Sequence, residues 1–373
     1  MTWPIDRVAA RRGPVVYDSR NHFQILFQCF GSLWPRVILY CITNSLLMYA
    51  ITKLKEHEII DLSISGQGHG YAGVIVSFLV VSRINTALSR YNECRGNIGV
   101  MYRETRELLQ TAYVLTRRDE NLSRSDKEWR SELAYRAMIM LRTAISVIEY
   151  SEHKIPAWGV SELSGFELDY CTPTAEWRRY SSSASPTELQ DSNRAPLRMA
   201  YLVRETIASQ KGRLSRPLQP QHEIMLFHSV DSFMTGWFGM TKFLTTPVPF
   251  PLIQMTRTIV LFYVFTLPMI FLKDDPTKYL YEHCMVVFLL TYGFVGLELV
   301  SIELDNPFGN DDNDFDCYAF ARGVFDDTYL MIHDTDGPEY ADIVRRRMNS
   351  GKRAGGAVSE TTGLLLYNDE FTV

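Results

Sequence analysis

The sequence predicts an all-α integral membrane protein: two pairs of bilayer-crossing helices on either side of a large, water-exposed helical region. Three observations predict it. First, the apolar residues are bunched, although 46% hydrophobic and 22% charged residues over 373 positions would suit a soluble chain of two or three domains. Second, four apolar runs, 37–51, 70–81, 248–272 and 284–300, each extend towards the roughly 20 residues that a crossing needs. Third, charged residues recur at helical spacing between 91 and 246. The chain is therefore divided into an N-terminal segment (1–35), spans one and two (36–90), a cytosolic helical region (91–246), spans three and four (247–304), an acidic segment with cytosolic C-terminal helices (305–349) and a flexible tail (350–373).

The first twenty residues lack an apolar stretch that would make a cleavable signal, and Asp6 and Asp18 sit badly in a transit peptide. Basic residues (Arg7, Arg11, Arg12, Arg20, Arg36) precede or open the first span, so the N-terminus is expected on the cytoplasmic side, and four spans bring the C-terminus back to it. Loops 53–69 and 273–282 then fall outside. Residues 22–34 read as an amphipathic lead-in helix ending at Gly31-Ser32 before Pro35. Thr43, Asn44 and Ser45 lie mid-span, where polar groups need partners, so this helix should pack inside protein.

The second span, within 70–91, reads as a pore-lining helix. Small residues (Gly73, Ser77, Ala87) stud it, and Arg83 and Arg90 end it where cationic side chains reach water. Val74, Phe78 and Ser82 fall four apart on one face, a stripe roughly 12 Å long at about 1.5 Å rise per residue. Repeated around an axis, the stripe makes a narrow, mostly apolar collar that can gate by dewetting. The same spacing also suits plain core or a lipid-facing surface. Gly68, Gly70 and Gly73 match the dinucleotide fingerprint literally, but an apolar helix follows, with no second strand and no acid placed for a ribose.

Beyond Arg90, two charged helical patterns cover 93–115 and 125–150. Arg103, Glu104 and Arg106 mark solvated, salt-bridged faces. Residues 151–196 are rich in Ser, Pro, Gly and aromatics and read as loops and short turns, closing on the helix-start signal Ser185-Pro186-Thr187-Glu188. A further helix fills 221–244. His222, Glu223 and His228 do not make the HExxH of a metalloprotease, and no nucleophile, base and acid set suggests an enzyme. Thr246-Pro247-Val248-Pro249-Phe250-Pro251 ends that helix and returns the chain to the membrane. Glu298 and Glu303 lie near the cytoplasmic end of the fourth span.

Net charge of −5 with mixed signs carries no nucleic-acid footprint, and six scattered cysteines without a CxxC pair read as reduced packing residues. The acidic run 303–316 offers many carboxylate, amide and carbonyl oxygens around a Pro-Phe-Gly turn, the ligand type a hard cation takes. It is not an EF-hand: counted from Asp311, position six is Asp316 rather than Gly, and position twelve is Arg322 rather than Glu. As bare composition, such a run also suits a solvated loop. In the tail, 363–367 forms an apolar patch, to be read as a disordered terminus or as an inhibitory strap on a neighbouring subunit.

Four features in order (Gly31-Ser32; Ser82-Arg83-x-Asn85-Thr86-x-x-x-Arg90; Thr246-Pro247-x-Pro249; and Asn306-Pro307-Phe308-Gly309 with its acids) resemble the bestrophins, pentameric anion channels, over roughly 9–327. The resemblance implies an all-α homopentamer in the lipid bilayer with one axial pore, passing chloride, bicarbonate or nitrate passively. It places the neck at Val74, Phe78 and Ser82, with Ser82 departing from the family's usual apolar residue. It implies a Ca2+ clasp from the backbone carbonyls of Ala9 and Asn306 and the side chains of Glu303, Asp311 and Asp314. Glu303 stands where calcium-regulated members carry Gln, and Asn313 replaces one acid of the animal pattern. A second, cytosolic aperture would fall near Glu223 or Ile224; an acid there repels anions, so either the count slips or the aperture lies elsewhere. The rival expectation is a non-conducting membrane scaffold that keeps the fold and the clasp. The cell membrane is the expected location, with a plastid thylakoid membrane as the alternative.

Overall fold

A computed structural model describes residues 15, 17–117, 123–163, 165–174, 188–272, 278–309 and 311–350. In the first half the helices are α1 (His22–Phe27), α2 (Trp34–Glu56), α3 (Gly66–Thr116), α4 (Arg124–Ile148), α5 (Tyr150–His153) and α6 (Gly165–Cys171). Then follow α7 (Glu188–Ser192), α8 (Ala195–Ala208), α9 (Gln210–Arg213) and α10 (Pro220–Thr245). The last are α11 (Phe250–Phe271), α12 (Leu280–Asp305), α13 (Cys317–Asp336) and α14 (Pro338–Ser350). Among the described residues there is no strand, and four helices, α2, α3, α11 and α12, are long and apolar enough to cross a membrane.

Among the described residues two compact units are present, one drawn from 15–97 and 239–316, the other from 98–238 and 317–350. In the first, α2 packs along α12, and α11 lies against both. Pro35 opens α2, where a missing N–H costs nothing. At mid-span the buried Asn44 donates through Nδ2 to the Val264 carbonyl (3.0 Å) and to Thr291 Oγ1 (2.8 Å). The expected inward packing of α2 is thus made by one amide reaching both α11 and α12.

Two expectations for this region need correction. The lead-in helix stops at Phe27, short of its expected end at Gly31-Ser32, and buries no side chain. Gly31 beyond it sits at φ +72°, and a Cβ there would lie 2.5 Å from Val15 Cγ2, so the chain must turn here on a residue without one. The second span and the helix expected to start near 93 are one element: α3 runs unbroken for 51 residues, with no proline in it. The dinucleotide-like glycines lie in its first turns, not on a strand-to-helix loop.

In the second unit α4 is the central element, packed by α8, α13 and α14. The charges of 125–150, expected on solvated faces, are in part deeply buried. Arg130 meets Asp336 through two contacts (2.9 and 2.5 Å) with both side chains wholly inaccessible, and Arg142 Nε donates to Glu162 Oε1 at 2.9 Å. Helical spacing located these arginines on α4, but their acids come from elements 206 and 20 residues away in the chain. Gly337, at φ +100°, makes the turn between α13 and α14.

Candidate functional site

The two faces of α3 differ sharply. Val76 and Val80 are buried against Val260, Val264 and Val295, and the same face continues through the buried Arg83 and Ala87. Val74 and Phe78 point the other way, 71% and 72% exposed, with Ser82 exposed one turn on. The three expected neck residues therefore form a continuous outward stripe on a helix whose opposite face is fixed in the core.

The start of α3 is held against α11. His69 Nε2 lies 3.1 Å from the Tyr263 carbonyl and 3.1 Å from Thr266 Oγ1, with its ring stacked on Tyr263 at 4.1 Å between centroids. A Cβ at Gly73 would approach Tyr263 Oη to 2.7 Å, so this glycine lets the two helices close. At the other end of the stripe, the Arg83 side chain, fully buried, makes a two-armed ion pair with Asp305, one arm at 3.1 Å. Arg257 Nε donates to Glu298 Oε1 at 3.1 Å. The acids of the fourth span thus anchor arginines of the other spans.

Of the residues expected as cation ligands, Glu303 lies in the last turn of α12, Asn306 caps that helix, and Asp311 and Asp314 lie in the loop that follows. The loop is already cross-linked. Arg36 Nη1 reaches Glu303 Oε1 at 3.1 Å, and its Nη2 reaches Asp311 Oδ1 at 3.2 Å. The Asn313 amide donates to Glu303 Oε2 (3.1 Å) and to the Gly31 carbonyl (3.0 Å), while the Gly31 N–H donates to Asp312 (3.3 Å). Asp314 accepts from the Asp311 N–H at 2.7 Å, and a Cβ at Gly309 would lie 2.8 Å from its Oδ2. As arranged, the carboxylates fit a guanidinium, and a Ca2+ ion at Glu303 and Asp311 would have to displace it. Among the described residues no group of three His, Cys, Asp or Glu side chains is set to hold a metal ion. Ala9 and the tail beyond 350 lie outside the described residues.

Arg36 is the residue that sequence reasoning missed here. It registered only as one more cation before the first span, because its partners lie 267 and 275 residues on.

At the expected aperture, Glu223 sits in the first turn of α10, its side chain 13% exposed and 3.3 Å from Lys211 Nζ. Ile224 is 65% exposed. The acid is turned aside and paired, and the apolar neighbour is the outward one.

Residues 15–328 match the family model described as bacterial/fungal bestrophin protein. A voltage-dependent anion channel-forming protein of Nostoc sp. (strain PCC 7120) is 25% identical over 316 residues, 84% of this chain and 93% of its own length. A protein of the same description from Salmonella typhi is 22% identical over 332 residues, 87% of this chain and 96% of its own. Among solved structures, a mutant of a bacterial bestrophin homologue from Klebsiella pneumoniae superposes with a TM-score of 0.60 at 17% identity, covering 81% of this chain and 99% of that one. With the four candidate spans and the outward stripe of α3, the match over 15–328 gives one conclusion: the chain belongs to the bacterial/fungal bestrophin family.

Proposed function

We propose that this protein is a passive anion channel, not an enzyme, passing chloride and other small anions such as bicarbonate or nitrate through a homopentamer with α3 around its axis. The observation that carries the reading is the two-faced α3: one face locked into the span core, the other presenting Val74, Phe78 and Ser82 at four-residue spacing. Relatives described as anion channel-forming proteins support it. In such a ring Val74 and Phe78 form the constriction, closing by expelling water, and Ser82 is a polar lower rim. At the cytosolic aperture the reading assigns Ile224 rather than Glu223, whose charge Lys211 offsets.

Calcium control is part of the proposal in a conditional form. Glu303, Asn306, Asp311 and Asp314, with Ala9, would supply oxygens to Ca2+ once Arg36 has withdrawn, so that guanidinium and metal are alternatives on the same carboxylates. The cell membrane is the proposed location, with both termini on the cytoplasmic side.

The polar Ser82 in the neck favours one rival, a scaffold that keeps the fold without conducting. Current from purified protein in planar bilayers under asymmetric chloride separates the two. A reversal potential near that of chloride, with conductance raised in Phe78→Ala, supports the channel. Absence of current from well-folded oligomers, with Phe78→Ala equally silent, moves the reading to the scaffold.

A further inference from the structure

Directly beyond the neck stripe, α3 carries a groove of about 520 Å³ lined by Phe78, Val81, Ser82, Asn85, Thr86, Ser89 and Arg90. Its chemistry changes along its length. Phe78 and Val81 close the neck end; the rest offers hydroxyls, an amide and a guanidinium. Thr86 spends its hydroxyl proton on the Ser82 carbonyl at 2.9 Å. The exposed Ser82, Asn85 and Ser89 make no protein hydrogen bond through their side chains among the described residues, which leaves three donors facing the groove.

The arginine is the unusual member. Arg36, Lys53, Lys55, Arg83 and Arg257, on the candidate spans, each lie within ion-pair distance of a carboxylate. Arg90 has no such pair among the described residues. It is held by neutral groups: Nη1 donates to the Thr246 carbonyl at 3.2 Å, and the guanidinium carbon lies 4.8 Å from the centre of the Phe243 ring. Its Nε is buried with no hydrogen-bond partner. The nearest acid along the helix, Glu93, is taken by Lys242 at 3.4 Å. A fixed, uncompensated positive charge thus stands at the polar end of a groove with free donors, and the field of such a charge concentrates anions.

We infer that this groove is a resting site for a small monovalent inorganic anion, chloride or nitrate, with Arg90 as its fixed charge and Ser82, Asn85 and Ser89 as its hydrogen-bond donors. The inference rests on the channel reading for its place in permeation, where the site collects anions on one side of the neck and replaces part of their hydration before the apolar ring. Binding itself does not depend on that reading.

Two measurements test it. Broadening of the 35Cl NMR line by the purified protein reports chloride binding without any need for current. It should fall severalfold in Arg90→Gln and in the Asn85→Ala/Ser89→Ala double variant, with Arg90→Lys retaining part. The double variant leaves the contacts of Arg90 to Thr246 and Phe243 untouched, so it stays informative if Arg90→Gln fails to assemble. In bilayers, Arg90→Gln should lower conductance about threefold or more at 10–50 mM chloride and converge on the wild type near 1 M, where screening shortens the Debye length to about 3 Å. Line broadening equal in wild type and both variants overturns the site. Broadening lost in the variants while the wild type passes no current keeps the site and removes the channel reading.

Discussion

Arg36, at the start of the first span, holds Glu303, in the last turn of the fourth, through a 3.1 Å contact, and its second nitrogen takes Asp311. The arginine side chain is half-exposed, so each pair contributes only about 0–1 kcal/mol. A divalent cation competing for the same oxygens therefore loses on the order of tenfold in affinity to the tethered guanidinium. Arg36→Gln should bind Tb3+, a luminescent stand-in for Ca2+, about tenfold more tightly than the wild type. Equal affinities in titrations of the two proteins would mean that arginine and metal do not share a site.

Arg83 and Asp305 form a tighter pair, with the arginine side chain fully buried and the acid 20% exposed. Removing the acid strands a buried charge, which costs about 3–5 kcal/mol. Asp305→Ala should therefore unfold at clearly lower temperature in detergent, and Arg83→Met in the same background should recover part of the loss. A double variant less stable than Asp305→Ala would show that Arg83 acts through something other than this pair.

Gly31 combines φ +72° with a Cβ position 2.5 Å from Val15. Gly31→Ala should destabilise by about 1–3 kcal/mol, and Val15→Ala should relieve only the contact, leaving the cost of a left-handed backbone. Full recovery by Val15→Ala in thermal unfolding would assign the whole effect to the clash.

Glu132 gives a pH signature. Burial works to raise its carboxyl, but Arg136 at 2.9 Å and Arg213 at 2.5 Å outweigh it and hold the group below its ordinary value of 4.5. A folded value below the unfolded one stabilises above about pH 4.5, and the contribution is lost as pH falls through the folded value. Glu132→Gln should be less stable than the wild type at pH 7, with the gap narrowing below pH 4.5. A gap constant from pH 7 to pH 3 would remove the ionised carboxylate as its source.

Burial pushes the Cys171 thiol up to about 12, against the pull of Arg198, whereas Cys29 is exposed. Native protein treated with maleimide at pH 7.5 should be modified at Cys29 well before Cys171, as read by peptide mass spectrometry. Comparable rates would indicate that α6 opens readily.

Much of the fold is legible in the sequence because hydrophobic length and helical period are local properties. The four spans, the shared face of Val74, Phe78 and Ser82, and the proline break after α10 all follow from residues within about a turn of one another. What stays hidden is set by distant partners. Nothing around Arg130 or Arg142 distinguishes a buried charge from a solvated one until Asp336 and Glu162 are placed beside them. Arg36 looks like a topology signal, and only the fold brings it to the acidic loop. Arg90 shows the converse: the sequence marks the residue but cannot show that it lacks a carboxylate partner.

Asn44 bears on how the protein is made. Its Nδ2 donates to the Val264 carbonyl and to Thr291 Oγ1, which follow it by 220 and 247 residues. At about 5–20 residues per second, synthesis brings α11 out on the order of ten to forty seconds after the first span has left the ribosome. Throughout that interval the first span carries an unmet amide in the hydrocarbon, where a bare polar group is costly. The newborn helix is thus a poor resident of lipid alone until the second helix pair arrives to take its Nδ2 donors.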